Sequence, residues 1–191
     1  MELHGDRLIP APLATTWAAL NDPETLKACI AGCESLERTG DDAYTAVVAL
    51  KIGPVSARFK GNLKMTNVAA PNGYTINFDG QGGVAGFGKG SADVKLSAEG
   101  DAATRLAYDA RAQVGGKMAQ IGSRLIDATA GKITDDFFKA FEAHLQAQLA
   151  PAGGVPAAQP SAPVRVAQPA GTLGWVLAAL VVLATLYFVL R

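Results

Sequence analysis

This sequence has few of the features that usually declare a function. Two cysteines in 191 residues, Cys29 and Cys33, exclude a disulfide framework. With His4 and His144 remote in sequence, they are also too few for a metal site. Lysine plus arginine and aspartate plus glutamate number 17 each, so the basic excess of a nucleic-acid binder is missing. The N-terminal MELHGDRLIPAP has no apolar run, which argues against a secretory signal and with it a GPI tail. No G-x-S-x-G elbow occurs. Asp135 and Asp136 are adjacent on a helical pattern and cannot share one face as a carboxylate pair. Residues 83–90, GVAGFGKG, match the first seven positions of a phosphate-binding loop. Gly90, however, stands where Ser or Thr must hold magnesium, and a strand follows where a helix is needed. The stretch reads as a glycine-rich bend in a curved sheet.

What is present is a change of period along the chain. Glu2 to Ile9 reads as a short strand, and Pro10 and Pro12 lead into a helix marked by Leu13, Trp17 and Leu20. Asp22-Pro23-Glu24 starts a second short helix, with Asp22 as its cap and Pro23 at the first helical position, ending near Gly32. Cys29 and Cys33 are then expected on that helix as structural thiols. From Tyr44 the period is two. Tyr44, Ala46, Val48, Leu50 and Ile52 share a face; Phe59, Leu63 and Met65 follow; then Tyr74, Ile76 and Phe78; then Ala92, Val94 and Leu96; and finally Leu106, Tyr108, Ala110, Ala112 and Val114. Five alternating strands with short turns predict an antiparallel meander with one wet face. After Gly115-Gly116, Met118, Ile121, Leu125, Ala128, Ile133, Phe137, Phe141, Leu145 and Leu149 trace the stripe of one long helix able to cover the apolar face. Gly122 and Gly131 interrupt it, marking a close approach to the sheet, a bend or simple drift.

Residues 1–150 thus read as one domain. Residues 151–172 hold five of the ten prolines and read as an extended, disordered linker, able to reach roughly 70 Å at about 3.1 Å per residue. Residues 173–190, LGWVLAALVVLATLYFVL, have no polar face. As a helix they would measure about 27 Å, close to the hydrocarbon thickness of a bilayer. Trp175 and Tyr187 fall near the two ends, where interfacial aromatics collect. The expected topology is a tail anchor whose N-terminal domain stays in the cytoplasm, at the cytoplasmic (inner) membrane. All 17 acids but 15 of the bases precede Pro151, a net of −2 that implies no charged partner.

The inward faces of the five strands carry no Asp, Glu, Lys, Arg or His; their polar groups are Thr104 and the hydroxyls of Tyr44, Tyr74 and Tyr108. General acid–base catalysis needs a titratable group in the site, so no catalytic residue is expected there. Arg7 on the first strand is the exception whose direction the sequence leaves open. An apolar concavity with a few hydroxyls suits a binder of apolar molecules. Its expected lining is Tyr44, Phe59, Leu63, Met65, Ile76, Phe78, Tyr108, Met118, Ile121, Leu125, Phe137 and Phe141, with core packing as the alternative for each. No metal ligands are expected. Phe87, whose parity sets it opposite Val94 and Leu96, is the candidate for partner contact.

The order of strand, two short helices, meander and long helix resembles the α+β helix-grip fold of START and Bet v1-like proteins. More closely, residues 1–150 resemble the carbon monoxide dehydrogenase CoxG family. The motifs carrying this are Ile52-Gly53-Pro54-Val55 with Phe59-Lys60-Gly61, Gly86-Phe87-Gly88-Lys89-Gly90, and Val114-Gly115-Gly116-Lys117 running on to Gly122-Ser123-Arg124-Leu125-Ile126. Ala31-Gly32-Cys33 departs from the pattern, in which Pro precedes Gly-Cys. The resemblance implies a non-catalytic accessory protein that recruits a molybdenum-containing carbon monoxide dehydrogenase, or a related molybdenum hydroxylase, to the cytoplasmic membrane. It also implies a respiratory quinone (menaquinone or ubiquinone) held in the cavity, which links CO oxidation to the respiratory chain. An aromatase/cyclase-like enzyme of the same fold, or a pure anchor with a filled core, are the competing expectations.

Overall fold

The computed structural model describes residues 1–149. The chain forms β1 (Glu2–Ile9), α1 (Leu13–Leu20), α2 (Pro23–Cys29), β2 (Cys33–Gly40), β3 (Ala43–Ile52), β4 (Val55–Ala69), β5 (Gly73–Gln81), β6 (Phe87–Glu99), β7 (Ala103–Gly115) and α3 (Ser123–Leu149). A 3-10 turn at Gly83–Ala85 joins β5 to β6, and another at Gly116–Ile121 precedes α3. All seven strands form one antiparallel sheet in the order β1-β7-β6-β5-β4-β3-β2. The chain's first strand therefore closes against its last.

Local chemistry explains the helix starts. The Asp22 carboxylate accepts the Thr25 backbone N–H at 2.9 Å and its hydroxyl at 2.6 Å, with Pro23 next in line. This satisfies a donor that the first turn would leave orphaned. Asn21 closes α1 by donating from Nδ2 to the Trp17 carbonyl at 2.8 Å. Between α1 and the sheet, the Thr104 hydroxyl donates to the Ala11 carbonyl at 2.8 Å, and Thr16 lies 3.3 Å from both.

Two apolar clusters pack the end of the sheet under α1 and α2. The first gathers Ile9, Leu20, Leu96, Leu106, Phe138, Phe141 and Leu145. The second gathers Leu36, Tyr44, Ala46, Met65 and Tyr74, and Trp17 packs against it. The apolar face is thus covered by α1 and α2 as well as by the C-terminal helix.

Several expectations need correcting. The meander has a further member, β2, and Cys33 opens that strand while Cys29 ends α2, so the two thiols do not share a helix. The long helix begins only at Ser123, because Gly122 takes φ +101° and separates it from the 3-10 turn that carries Met118 and Ile121. On α3 the buried positions are Ile126, Phe138, Phe141 and Leu145, while Leu149 is 46% exposed. Phe141 and Leu145 are where the stripe was expected, whereas Ile126 and Phe138 take the buried places expected of Leu125 and Phe137. Gly131 makes no close approach: a Cβ there would meet nothing within 4 Å. The glycine-rich bend is the 3-10 turn. Gly86 (φ +118°) and Gly116 (φ +76°) sit against one another there, a Cβ on Gly116 coming 3.3 Å from Gly86 N. Two glycine motifs distant in sequence thus meet where side chains would keep the backbones apart.

Candidate functional site

Away from the two packed clusters, the inward sheet surface stays apolar but only partly filled. Phe59 and Phe78 are half-buried and belong to neither cluster. Leu63 and Ile76 are half-buried against the second cluster, Tyr108 and Phe137 against the first. Tyr44, Met65, Met118 and Phe141 are buried. These residues share one face because the register is unbroken where it matters: Leu63 faces Phe78, Met65 faces Ile76, and Tyr44 faces Leu63. Ile121 and Leu125 sit over the β3–β4 turn, where a Cβ on Gly53 would approach them at 3.7 and 2.9 Å. Leu125 is 41% exposed, which places it at the rim. Between the packed end and the glycine turns the inward face thus keeps a half-buried apolar stretch, termed the cup.

Four cross-strand aromatics, Phe87 on the outer face and the other three on the inner, share one device. Phe78 faces Gly90, Phe87 faces Gly115 and Tyr108 faces Gly5 in the strand register, and Phe59 and Gly82 continue the β4–β5 register. At Gly5, Gly82 and Gly115 the aromatic side chain fills the space a Cβ would take, whereas at Gly90 the Arg111 carbonyl comes nearer than the Phe78 ring. A Cβ would fall 2.9 Å from Phe78 Cζ, 2.6 Å from Phe59 Cζ, 3.0 Å from Phe87 Cδ1 and 2.7 Å from the Tyr108 hydroxyl, with Cε1 of Phe59 and of Phe87 closer still. A ring laid over a cross-strand glycine shields backbone that would otherwise be bare.

The charges of the site are few and placed. Arg7 does point inward: its guanidinium is bonded to Asp135 of α3 and lies 5.6 Å over the Phe138 ring, with Nε buried and unpartnered. The Tyr44 hydroxyl is likewise buried with no hydrogen-bond partner, an arrangement that costs on the order of 1–3 kcal/mol. Burial, and then the neighbouring Tyr44, push the Tyr74 hydroxyl far above the ordinary tyrosine range, so it stays protonated. Trp17 meets Tyr74 edge-on at 5.5 Å. Thr104 is committed to the Ala11 carbonyl and offers nothing to the cup. Burial also pushes the Cys29 and Cys33 thiols up, which makes them poor nucleophiles. Among the described residues no group of three His, Cys, Asp or Glu side chains is placed to hold a metal ion.

At the open end β1 runs out: Met1 exchanges backbone hydrogen bonds of 3.0 and 3.1 Å with Ala112. Gln113 to Gly115 lie beyond that last pair. There a groove of about 490 Å³, lined by Phe87, Lys89, Val114, Ile126 and Asp127 among others, runs between β7 and the start of α3. Its volume falls in the range of ligand pockets. Phe87 is on the outer face, 39% exposed, and Val84 on the neighbouring turn is 85% exposed. The connections at this end, residues 51–54, 82–86 and 116–125, carry Lys51, Lys117 and Arg124 and no acidic residue. None of these three forms an ion pair among the described residues. The turns at the packed end, residues 40–43, 70–73 and 100–103, carry Asp41, Asp42 and Asp101 and no basic residue. Sequence reasoning missed this polarity, together with Ile126, Phe138 and the direction of Arg7. Trp175 and Tyr187, with the linker and membrane span expected at 151–190, lie outside the described residues. Among the described residues no helix is long and apolar enough to cross a membrane.

No curated protein matches the chain in sequence. Among solved structures, a conserved protein from Geobacillus kaustophilus is 31% identical, with a TM-score of 0.73 over 78% of this chain and 97% of its own. The Zhui aromatase/cyclase from Streptomyces sp. R1128 is 13% identical (TM-score 0.60, 81% of this chain and 99% of its own). A START superfamily protein from Mycobacterium smegmatis is 16% identical (TM-score 0.60, 77% and 98%). The last two likenesses establish the fold alone. The model of the carbon monoxide dehydrogenase CoxG family matches residues 5–146, the whole of the sheet but its first residues and nearly all of α3. The chain belongs to the carbon monoxide dehydrogenase CoxG family.

Proposed function

We propose that this chain is a non-catalytic accessory protein that serves a molybdenum carbon monoxide dehydrogenase, or a related molybdenum hydroxylase, at the cytoplasmic membrane. It holds a quinone or similar lipid in the cup. The observation that carries this reading is the contrast along one sheet face: packed clusters at one end, with Leu63 and Ile76 against them, and half-buried Phe59 and Phe78, which join neither cluster, toward the other. Each five-carbon prenyl unit gains roughly 4 kcal/mol on leaving water, so a carrier needs such a surface, dry and uncharged. The basic connections around the open end support a mouth turned toward anionic headgroups, each such residue contributing about 1 kcal/mol near the surface. Phe87 is the residue assigned to contact with the hydroxylase. The apolar sequence at 173–190 supplies the anchor in this reading.

The test is chemical extraction of the full-length protein purified from its host, followed by mass spectrometry. Quinone at close to one equivalent is the expected result. A folded protein that carries no quinone or other lipid would sink the carrier reading.

A further inference from the structure

The two halves of α3 are held unequally. Phe138, Phe141 and Leu145 join the first packed cluster and fix the C-terminal half. Arg7 adds a tie from β1, bonded to Asp135 and lying over the Phe138 ring. Residues 123–130 bury Ile126 and no other side chain. This arm lies between two glycines, Gly122 (φ +101°) and Gly131, and a Cβ on either would meet nothing within 4 Å. Packing therefore does not require glycine at 131, although glycine weakens a helix interior relative to alanine. On each side of it a threonine hydroxyl donates back to the carbonyl four residues earlier, Thr129 to Leu125 at 2.7 Å and Thr134 to Ala130 at 3.0 Å. Such bonds weaken and bend helices. Three softening features thus fall together between 129 and 134.

The arm also crosses the end of the cup. Leu125 lies against the β3–β4 turn, where a Cβ on Gly53 would come 2.9 Å from its Cδ2. The next residue, Ile126, lines the groove of about 490 Å³ together with Val114 of β7. Two consecutive residues thus reach strands that β6 and β5 separate in the sheet. The two packed clusters, with α1 and α2, occupy the opposite end, so the way in lies beneath the arm. Resting on the carrier reading, we propose that residues 123–130 are a lid on the cup, hinged at Gly131 with Gly122 as a second joint, which lifts to admit the ligand and closes over it. The groove marks the seam along which the lid parts from β7. The Lys132–Asp136 ion pair, 2.6 Å long, stiffens the fixed base just beyond the hinge. Eight helical residues make a lever of about 12 Å, so a swing of about 40° carries its tip through about 8 Å. A change of that size needs only one or two residues to absorb it.

The experiment uses the full chain in nanodiscs. For distances, Arg124→Cys on the arm and Arg111→Cys on β7, both exposed, carry spin labels in a chain with Cys29→Ala and Cys33→Ser. Electron–electron resonance should find two separations about 8 Å apart without ligand. A short-chain prenylated 1,4-naphthoquinone should gather them into the shorter one. Gly131→Ala should deplete the longer one about fivefold, the difference between the two residues in a helix interior. For rates, quenching of Trp17 by the same quinone is followed by stopped flow in a chain with Trp175→Phe. Gly131→Ala should slow association and dissociation alike, about fivefold, with Kd almost unchanged. Its Tm should rise by about 2–4 °C. If the Tm rises while both rates stay as they were, residue 131 only stiffens a helix and the lid is wrong. A single separation with and without quinone overturns the lid as well, while quinone binding keeps the carrier reading. Two separations with no quinone bound overturn the carrier reading and leave the hinge. A single separation and no binding overturn both.

Discussion

The ring of Phe59 on β4 lies over Gly82, at the end of β5, in the place where any other residue would carry its Cβ; a methyl group there would stand 2.6 Å from Phe59 Cζ. The wall of the cup at this point is one aromatic ring thick because its partner has no side chain.

Gly82→Ala should therefore act first through Phe59, whose ring supplies the three atoms nearest to such a Cβ. Overpacking of this kind costs about 1–3 kcal/mol. Adding Phe59→Leu should recover much of the loss. A double-mutant cycle from denaturant melts measures it, and strictly additive effects would show that the two positions are uncoupled.

Thr104→Val is nearly isosteric but removes the donor to the Ala11 carbonyl at 2.8 Å. Thr16, at 3.3 Å, is a weaker substitute. The expected destabilisation is about 1–3 kcal/mol, read as a lowered urea midpoint at unchanged slope. Ligand affinity should not move, because this hydroxyl does not face the cup.

The Asp22 cap gives a pH signature. Hydrogen bonds from the Thr25 hydroxyl and then from its backbone N–H hold the carboxyl below its ordinary value of 3.8. A group whose folded pKa is depressed adds stability above its unfolded pKa, and that stability is lost as pH falls through the folded value. Asp22→Ala should cost about 1 kcal/mol at neutral pH, and its deficit should shrink below pH 3.8. Thermal melts of both proteins from neutral to acid pH check this. A deficit that stays constant across the range would mean that the charge plays no part in the cap.

Lys117→Glu with Arg124→Glu should turn the open end away from anionic lipid. With the full chain in nanodiscs, hydrogen exchange at residues 82–86 and 116–125 should slow when anionic lipid replaces zwitterionic lipid. In the variant that slowing should vanish. Equal exchange in the two lipids for the parent chain would show that this end does not meet the membrane.

Phe87→Ala should lower the fraction of the molybdenum hydroxylase recovered with membranes while leaving the fold intact. Its ring covers Gly115 from the outer face, and backbone left bare there is solvent-exposed, so the stability cost should be small. Unchanged recruitment would remove Phe87 from the partner surface.

What could be read from sequence was what local chemistry decides. Asp22-Pro23 announced a helix start because cap and ring act within one turn. The strands β3 to β7 announced themselves by strict alternation. β2 did not, because its pairing with β3 shifts register between Cys33 and Ser35 and again between Arg38 and Gly40, and the shifts scramble the alternation. The choice between Phe137 and Phe138 turned on where α3 begins. Gly122 sets that start at Ser123, and it is Phe138 that joins the first cluster. Arg7 could be placed only once β1 was known to pair with β7, Arg7 facing Leu106. The orphaned Tyr44 hydroxyl leaves no trace in sequence, since a satisfied tyrosine would be written the same way.

The direction of α3 has a consequence for reach. Its 27 residues run from beside the open end to Leu145 in the packed cluster, a length of about 40 Å. Whatever follows Leu149 therefore departs from the end that carries Asp41, Asp42 and Asp101, opposite the mouth. A segment returning from that end to the mouth would have to cover the length of the domain, at least about 13 residues if extended.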